Sequence, residues 1–156
     1  MDASKALVLI ALALLAVGCQ EDDVSSGLPA PVAETRSQIL DAAESGDYDQ
    51  LPPLLNDETL AAWRRQGRKP LETMAVVLRM PHQLRETNEG TLYQWPRYGP
   101  NSKPGDISES DRELFRQVMT EAEVANLILP EYGYVNPRLG ILADGRWWFF
   151  VLEGGP

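Results

Sequence analysis

Apolar residues fall along this chain in three rhythms. The first is an unbroken run from Ala6 to Val17, preceded by Lys5 and ended by Glu21-Asp22-Asp23. The second is helical. Ile39, Leu40 and Ala43 form a stripe between a Thr35-x-x-Gln38 capping box, with Thr35 as N-cap, and a closing Gly46. A short helix over 49–55 has prolines suited to its first turn. Asp57 caps a helix carrying Leu60 and Trp63 and ended by Gly67. Pro70 opens the next, where Leu71, Met74, Ala75 and Leu78 share one face before Pro81 stops it. Ser110-x-x-Glu113 and Thr120-x-x-Glu123 cap two more, the second running through Leu127.

The third rhythm is that of strands. Thr91-Leu-Tyr-Gln-Trp95 alternates, is rich in strand formers and ends at Pro96, which predicts an edge strand. Arg97 to Asp106 reads as a loop. Asp144-Gly145 between Leu139–Ala143 and Arg146–Val151 predicts a hairpin with a two-residue turn. In that register 141 faces 148, 139 faces 150, and Gly140 lies opposite Phe149, leaving room for the ring over bare backbone. One face then gathers Leu139, Ile141, Trp148 and Phe150, and the other Leu142, Trp147, Phe149 and Val151. A hairpin apolar on both faces belongs at the centre of the core, or has one face against a ligand or partner. The fold predicted is α+β: several short helices packed on a small antiparallel sheet with a C-terminal β-hairpin.

The N-terminal run decides where the domain begins. As a helix its twelve residues would cover about 18 Å, against a bilayer core of roughly 30 Å. It is the h-region of an export signal, with Gly18 small enough for a peptidase pocket. The run ends in Ala16-Val17-Gly18-Cys19, which holds the only cysteine of the chain. This stretch resembles the lipobox of bacterial lipoproteins. The resemblance implies cleavage between Gly18 and Cys19 and acylation of Cys19, which becomes the first mature residue. Diacylglyceryl and amide-linked chains together exceed the two-signal threshold for stable anchoring. Gln20 is similar to the outer-membrane sorting context, which implies a place on the periplasmic face of the outer membrane. An ordinary signal peptide cut nearby, with Cys19 incidental, is the alternative. The organisation expected is a signal peptide over 1–18, an acylated cysteine and flexible, Pro-containing tether over 19–33, and one globular domain over 34–153.

Cleavage leaves 138 residues, enough for one domain with a real core, and a net charge of −9. That balance argues against nucleic acid as a partner, which requires a basic footprint. The one basic cluster is Arg64, Arg65, Arg68 and Lys69. It complements a helix C-terminus, or it contacts lipid phosphate or another anionic partner. Asp41, Glu44, Asp47 and Asp49 lack calcium-loop spacing and read as a solvated face. The single histidine, His82, has no partner fixed by spacing. With one histidine and one acylated cysteine, His/Cys metal sites are excluded and only carboxylate ones are left. No Gly-x-Ser-x-Gly, phosphate loop or dinucleotide fingerprint is present. The sequence calls for no metal, no cofactor and no assigned catalytic residue.

Two further resemblances carry expectations. The stretch Ile39-Leu-Asp-Ala-Ala-Glu-Ser-Gly-Asp-Tyr-Asp49 is similar to the opening helices of nuclear-transport-factor-2-like bacterial domains. That likeness implies a small-ligand pocket lined by one hairpin face. The segment from Tyr134 through Arg138-Leu-Gly140 to Asp144–Val151 resembles the ending of a group of uncharacterised bacterial proteins, which implies a common fold and carries no catalytic residues. The leading expectation is a membrane-anchored envelope lipoprotein that acts as a binding or interaction module. Its partners are the membrane, through Cys19, and an envelope protein or small ligand. Tyr93, Trp95, Tyr132 and Trp147 are the candidate contact residues, weighed against a place in the core. A carboxylate-based hydrolase built on Glu86 and Asp106 with Tyr93 is the remaining alternative.

Overall fold

The computed structural model describes residues 27–54 and 57–152, without the side chains of 57 and 58. The signal, Gly18, Cys19, Gln20 and most of the predicted tether lie outside the described residues.

Helix α1 spans Ala30–Ser45 and ends at Gly46 in the left-handed conformation. It begins a turn earlier than the Thr35 cap predicted from sequence. Pro31 sits in its first turn, where a missing N–H costs nothing and φ is already helical. The prolines read as tether are thus the start of the fold. Val32, Ile39, Ala42 and Ala43 are buried at helical spacing, and Leu28 already packs against the core. The helix predicted over 49–55 is a single 3-10 turn at Tyr48–Gln50. Pro52 and Pro53 keep the chain extended beyond that turn rather than opening a helix. Leu54 then forms a parallel bridge to Trp147.

Helices α2 (Asp57–Arg65) and α3 (Lys69–Leu78) fall where expected, with Pro70 in the first turn of α3. Strands β1 (Gln83–Thr87) and β2 (Gly90–Trp95) form a hairpin closed by a two-residue turn, Thr87 facing Gly90. Helix α4 (Glu109–Arg116) is capped by Ser108, whose hydroxyl accepts from the Asp111 N–H at 3.2 Å. Ser110 is therefore inside the helix and not its cap. Helix α5 (Glu121–Ala125) has the predicted Thr120–Glu123 capping box but stops short of Leu127. Strands β3 (Ile128–Leu129) and β4 (Gly133–Tyr134) make a separate small sheet. Strands β5 (Arg138–Leu142) and β6 (Trp147–Val151) complete the main one.

The fold is α+β, as predicted. Its main sheet is antiparallel in the order β1-β2-β5-β6. Strand β2 is consequently interior, paired on both sides, and the exposed edge is β1. Within the C-terminal hairpin β5 is interior, with Leu139 and Ile141 wholly buried in the core, while β6 forms the other edge of the sheet. Helices α1 and α3 pack on each other and on β5, covering the face that carries Trp95, Leu139 and Ile141, each wholly buried. On the opposite face Phe149 lies over Gly140, as the register predicts. A Cβ at Gly140 would come within 2.7 Å of that ring.

The hairpin turn differs from the predicted one. Leu142 N–H donates to Arg146 O (2.9 Å) and Gly145 N–H to Leu142 O (2.8 Å), a three-residue loop with Gly145 at φ +89°. The register then shifts between Gly140 and Ile141. Ile141 pairs with Trp147 instead of Trp148, and the extra residue in β6 is a bulge. So the indole that joins Leu139, Ile141 and Phe150 is that of Trp147.

Candidate functional site

The bulge and the turn together build a cleft at the end of the sheet. In a regular strand, Trp147 and Trp148 would point to opposite faces. Here both line one cleft of about 750 Å³. Trp147 is nearly buried, packed on Trp63 with ring centroids 6.0 Å apart, and its indole N–H donates to Phe149 O at 3.1 Å. Trp148 is only half-buried. Pro52 and Pro53, drawn in by the Leu54–Trp147 bridge, form one wall. The first turns of α1 form the other through Pro31, Glu34 and Gln38.

Gly145 joins α1 to the hairpin. Its positive φ disfavours any side chain, and a Cβ there would stand 2.9 Å from both the Cβ and the carbonyl oxygen of Pro31. The close approach lets the Thr35 hydroxyl donate to Gly145 O at 2.6 Å. Thr35, expected as a helix cap, is instead a buried clamp between α1 and the turn.

The rim is charged. Arg146 is held by Asp144 at 2.8 Å and by Glu89, from the β1–β2 turn, at 3.6 Å. The Arg146 backbone N–H, and then its guanidinium, keep the Asp144 carboxyl below its usual range, and Asp144 in turn raises Arg146. Glu34 adds a third carboxylate, with no ion pair among the described residues.

The sequence candidates are not brought together. Trp95 is wholly buried against His82 (centroids 5.3 Å apart), so it is a core residue with no surface to offer a partner. Tyr93 packs half-buried on the same imidazole at 5.5 Å. Tyr132 is exposed between β3 and β4, and only Trp147 lines the cleft. Burial holds the His82 pKa below its usual value, with the Arg36 guanidinium acting in the same direction.

In the basic cluster, Arg64 pairs with Asp49, Arg68 with Glu72 at 3.5 Å, and Lys69 with Glu123 at 3.6 Å, while Arg65 is exposed. The Arg68 guanidinium also lies against Gly46, at the C-terminus of α1, the placement a helix dipole favours. Three of the four cations thus pair with carboxylates at the surface.

The proposed hydrolase set is dispersed. Glu86 accepts from the Thr91 hydroxyl at 2.9 Å, and Asp106 from the Lys103 N–H at 2.6 Å inside its own turn. Asp106 lines a shallow depression with Gln83 and Arg97, to which neither Glu86 nor Tyr93 contributes. Among the described residues no group of three His, Cys, Asp or Glu side chains is placed to hold a metal. No described helix is long and apolar enough to cross a membrane.

Sequence reasoning missed Trp148, Thr35 and the buried polar pair Tyr98–Asp111. The Tyr98 hydroxyl donates to the Asp111 carboxylate and accepts from the Ser108 N–H at 3.4 Å. That pair ties the 97–107 loop to α4 and lies beside Tyr134, whose hydroxyl donates to Pro137 O at 2.7 Å. Only the Trp147-Trp148 doublet after a turn signal could have pointed to the cleft.

In comparisons with known proteins, no family model, no curated protein and no solved structure matches the chain. The resemblances noted from sequence rest on their residues alone.

Proposed function

We propose that the chain is a membrane-anchored lipoprotein of the cell envelope, on the periplasmic face of the outer membrane, whose folded body binds a ligand in the cleft between α1 and the β5–β6 turn. The observation that carries this reading is the position of the cleft. Pro31, one of its walls, stands at the point where the chain enters the fold, twelve residues after Cys19. A chain of that length reaches at most about 40 Å. Acylation of Cys19 therefore keeps the mouth of the cleft within that distance of the bilayer. Its volume falls in the range of small-molecule sites. A cone-shaped pocket of the nuclear-transport-factor-2-like kind is less well supported, because the helix-facing side of the sheet is filled by Trp95, Leu139 and Ile141.

The test is intact-mass analysis and fractionation of the protein from its native envelope. The expected result is a mature chain starting at an acylated Cys19, sedimenting with the outer membrane, and a Cys19→Ser variant that leaves the membrane fraction. A different mature start, or an unmodified Cys19, refutes the anchor.

A further inference from the structure

We infer that the cleft takes a small amphiphile with a cationic head on an apolar body. The inference deepens the binding reading above and rests on it. The body of such a ligand has partners in Pro31, Pro52, Pro53 and Leu142. The head has two kinds of attraction. Trp148 is half-buried in the lining of the cleft, and the face of an indole attracts a cation. The rim carries Glu34, Glu89 and Asp144 against the single cation Arg146.

Arg146 does not reverse that preference, because two of the three carboxylates already hold its guanidinium. An anionic ligand has to displace them to reach it, whereas a cation meets Glu34 without breaking an ion pair. The net charge of −9 biases the surrounding field the same way.

Full-length protein in nanodiscs of zwitterionic lipid, with empty nanodiscs as the blank, is titrated with hexyltrimethylammonium, hexanoate and hexanol. The Trp148 indole N–H resonance and calorimetry read the binding. The cation binds about tenfold more tightly than either the anion or the alcohol, a ratio within reach of a cation–π contact, and its affinity falls as NaCl is raised. Trp148→Ala weakens it by a similar factor. Glu34→Gln, on an exposed helix face where folding is not at risk, weakens it by about threefold, in keeping with a partly exposed charge. Arg65→Gln leaves it unchanged.

Equal or tighter binding of hexanoate or hexanol overturns the inference, as does full affinity in both Trp148→Ala and Glu34→Gln. Displacement of the amphiphile by a short Lys-Pro-Pro peptide at lower concentration assigns the cleft to a protein ligand and also overturns it. Cation binding by a protein whose Cys19 is unmodified refutes the anchor alone, so the two failures are distinguishable.

Discussion

Replacing Gly145 by alanine tests how the cleft is held together. Gly145 has φ +89°, and a Cβ there meets Pro31 Cβ and O at 2.9 Å, a pyrrolidine ring carbon and a backbone oxygen that cannot rotate away. The left-handed conformation costs an L-residue about 1–2 kcal/mol. Relieving the overlap pushes α1 from the turn and stretches the Thr35–Gly145 hydrogen bond of 2.6 Å, whose loss costs about 1 kcal/mol. The expected destabilisation is therefore about 2–3 kcal/mol. Gly67→Ala is the control: φ is +73° but nothing lies within 4 Å of the new Cβ, so only the strain of about 1–2 kcal/mol applies. Thr35→Val removes the hydrogen bond alone, and because it shares that bond with Gly145→Ala the two are non-additive in the double variant. Urea unfolding followed by far-ultraviolet circular dichroism measures all four. If Gly145→Ala proves no more destabilising than Gly67→Ala, the close approach of α1 to the turn is not as described.

Three further outcomes are expected from the same geometry. Burial, with the Asp111 hydrogen bond second, raises the Tyr98 pKa, and burial raises that of Tyr134 well above its usual value. Both phenols are neutral when protonated, so their contribution is complete below about pH 10 and is lost as pH rises through the folded values. Stability measured above pH 10 should fall with a slope that Tyr98→Phe and Tyr134→Phe each reduce. For His82 the folded pKa is depressed, first by burial and then by Arg36, among the rings of Tyr93 and Trp95. Its contribution is present above about pH 6.5 and is lost as pH falls through the folded value. His82→Phe should flatten that limb of the urea midpoint against pH. Thr120→Ala removes the side-chain half of the α5 capping box, at an expected cost of about 1 kcal/mol in the same assay.

The helices that needed only local signals were legible in the sequence. Pro70 with the Leu71–Met74–Leu78 stripe, and the Thr120–Glu123 box, act within a few residues of one another. Strand β1 was not legible: Gln83-Leu-Arg-Glu-Thr87 has a single apolar residue, as an exposed edge allows, and only its partner β2 makes it a strand. Whether Pro31 belonged to a tether or to a first helical turn depended on the burial of Val32 in the core and on the approach of Pro31 to Gly145, far along the chain.

What the sequence determined by itself is the α+β class, the Gly140–Phe149 pairing and the chemistry available: two adjacent tryptophans, the prolines at 31, 52 and 53, and an acidic surplus. Tertiary structure alone decided that they converge. A single bulged residue in β6 brings Trp147 and Trp148 to the lining of one cleft, and the bare backbone of Gly145 lets α1 close its side. Local rules of periodicity and capping operate over a turn or two, whereas a cleft is set by the distance between elements more than a hundred residues apart, as the Thr35–Gly145 bond is.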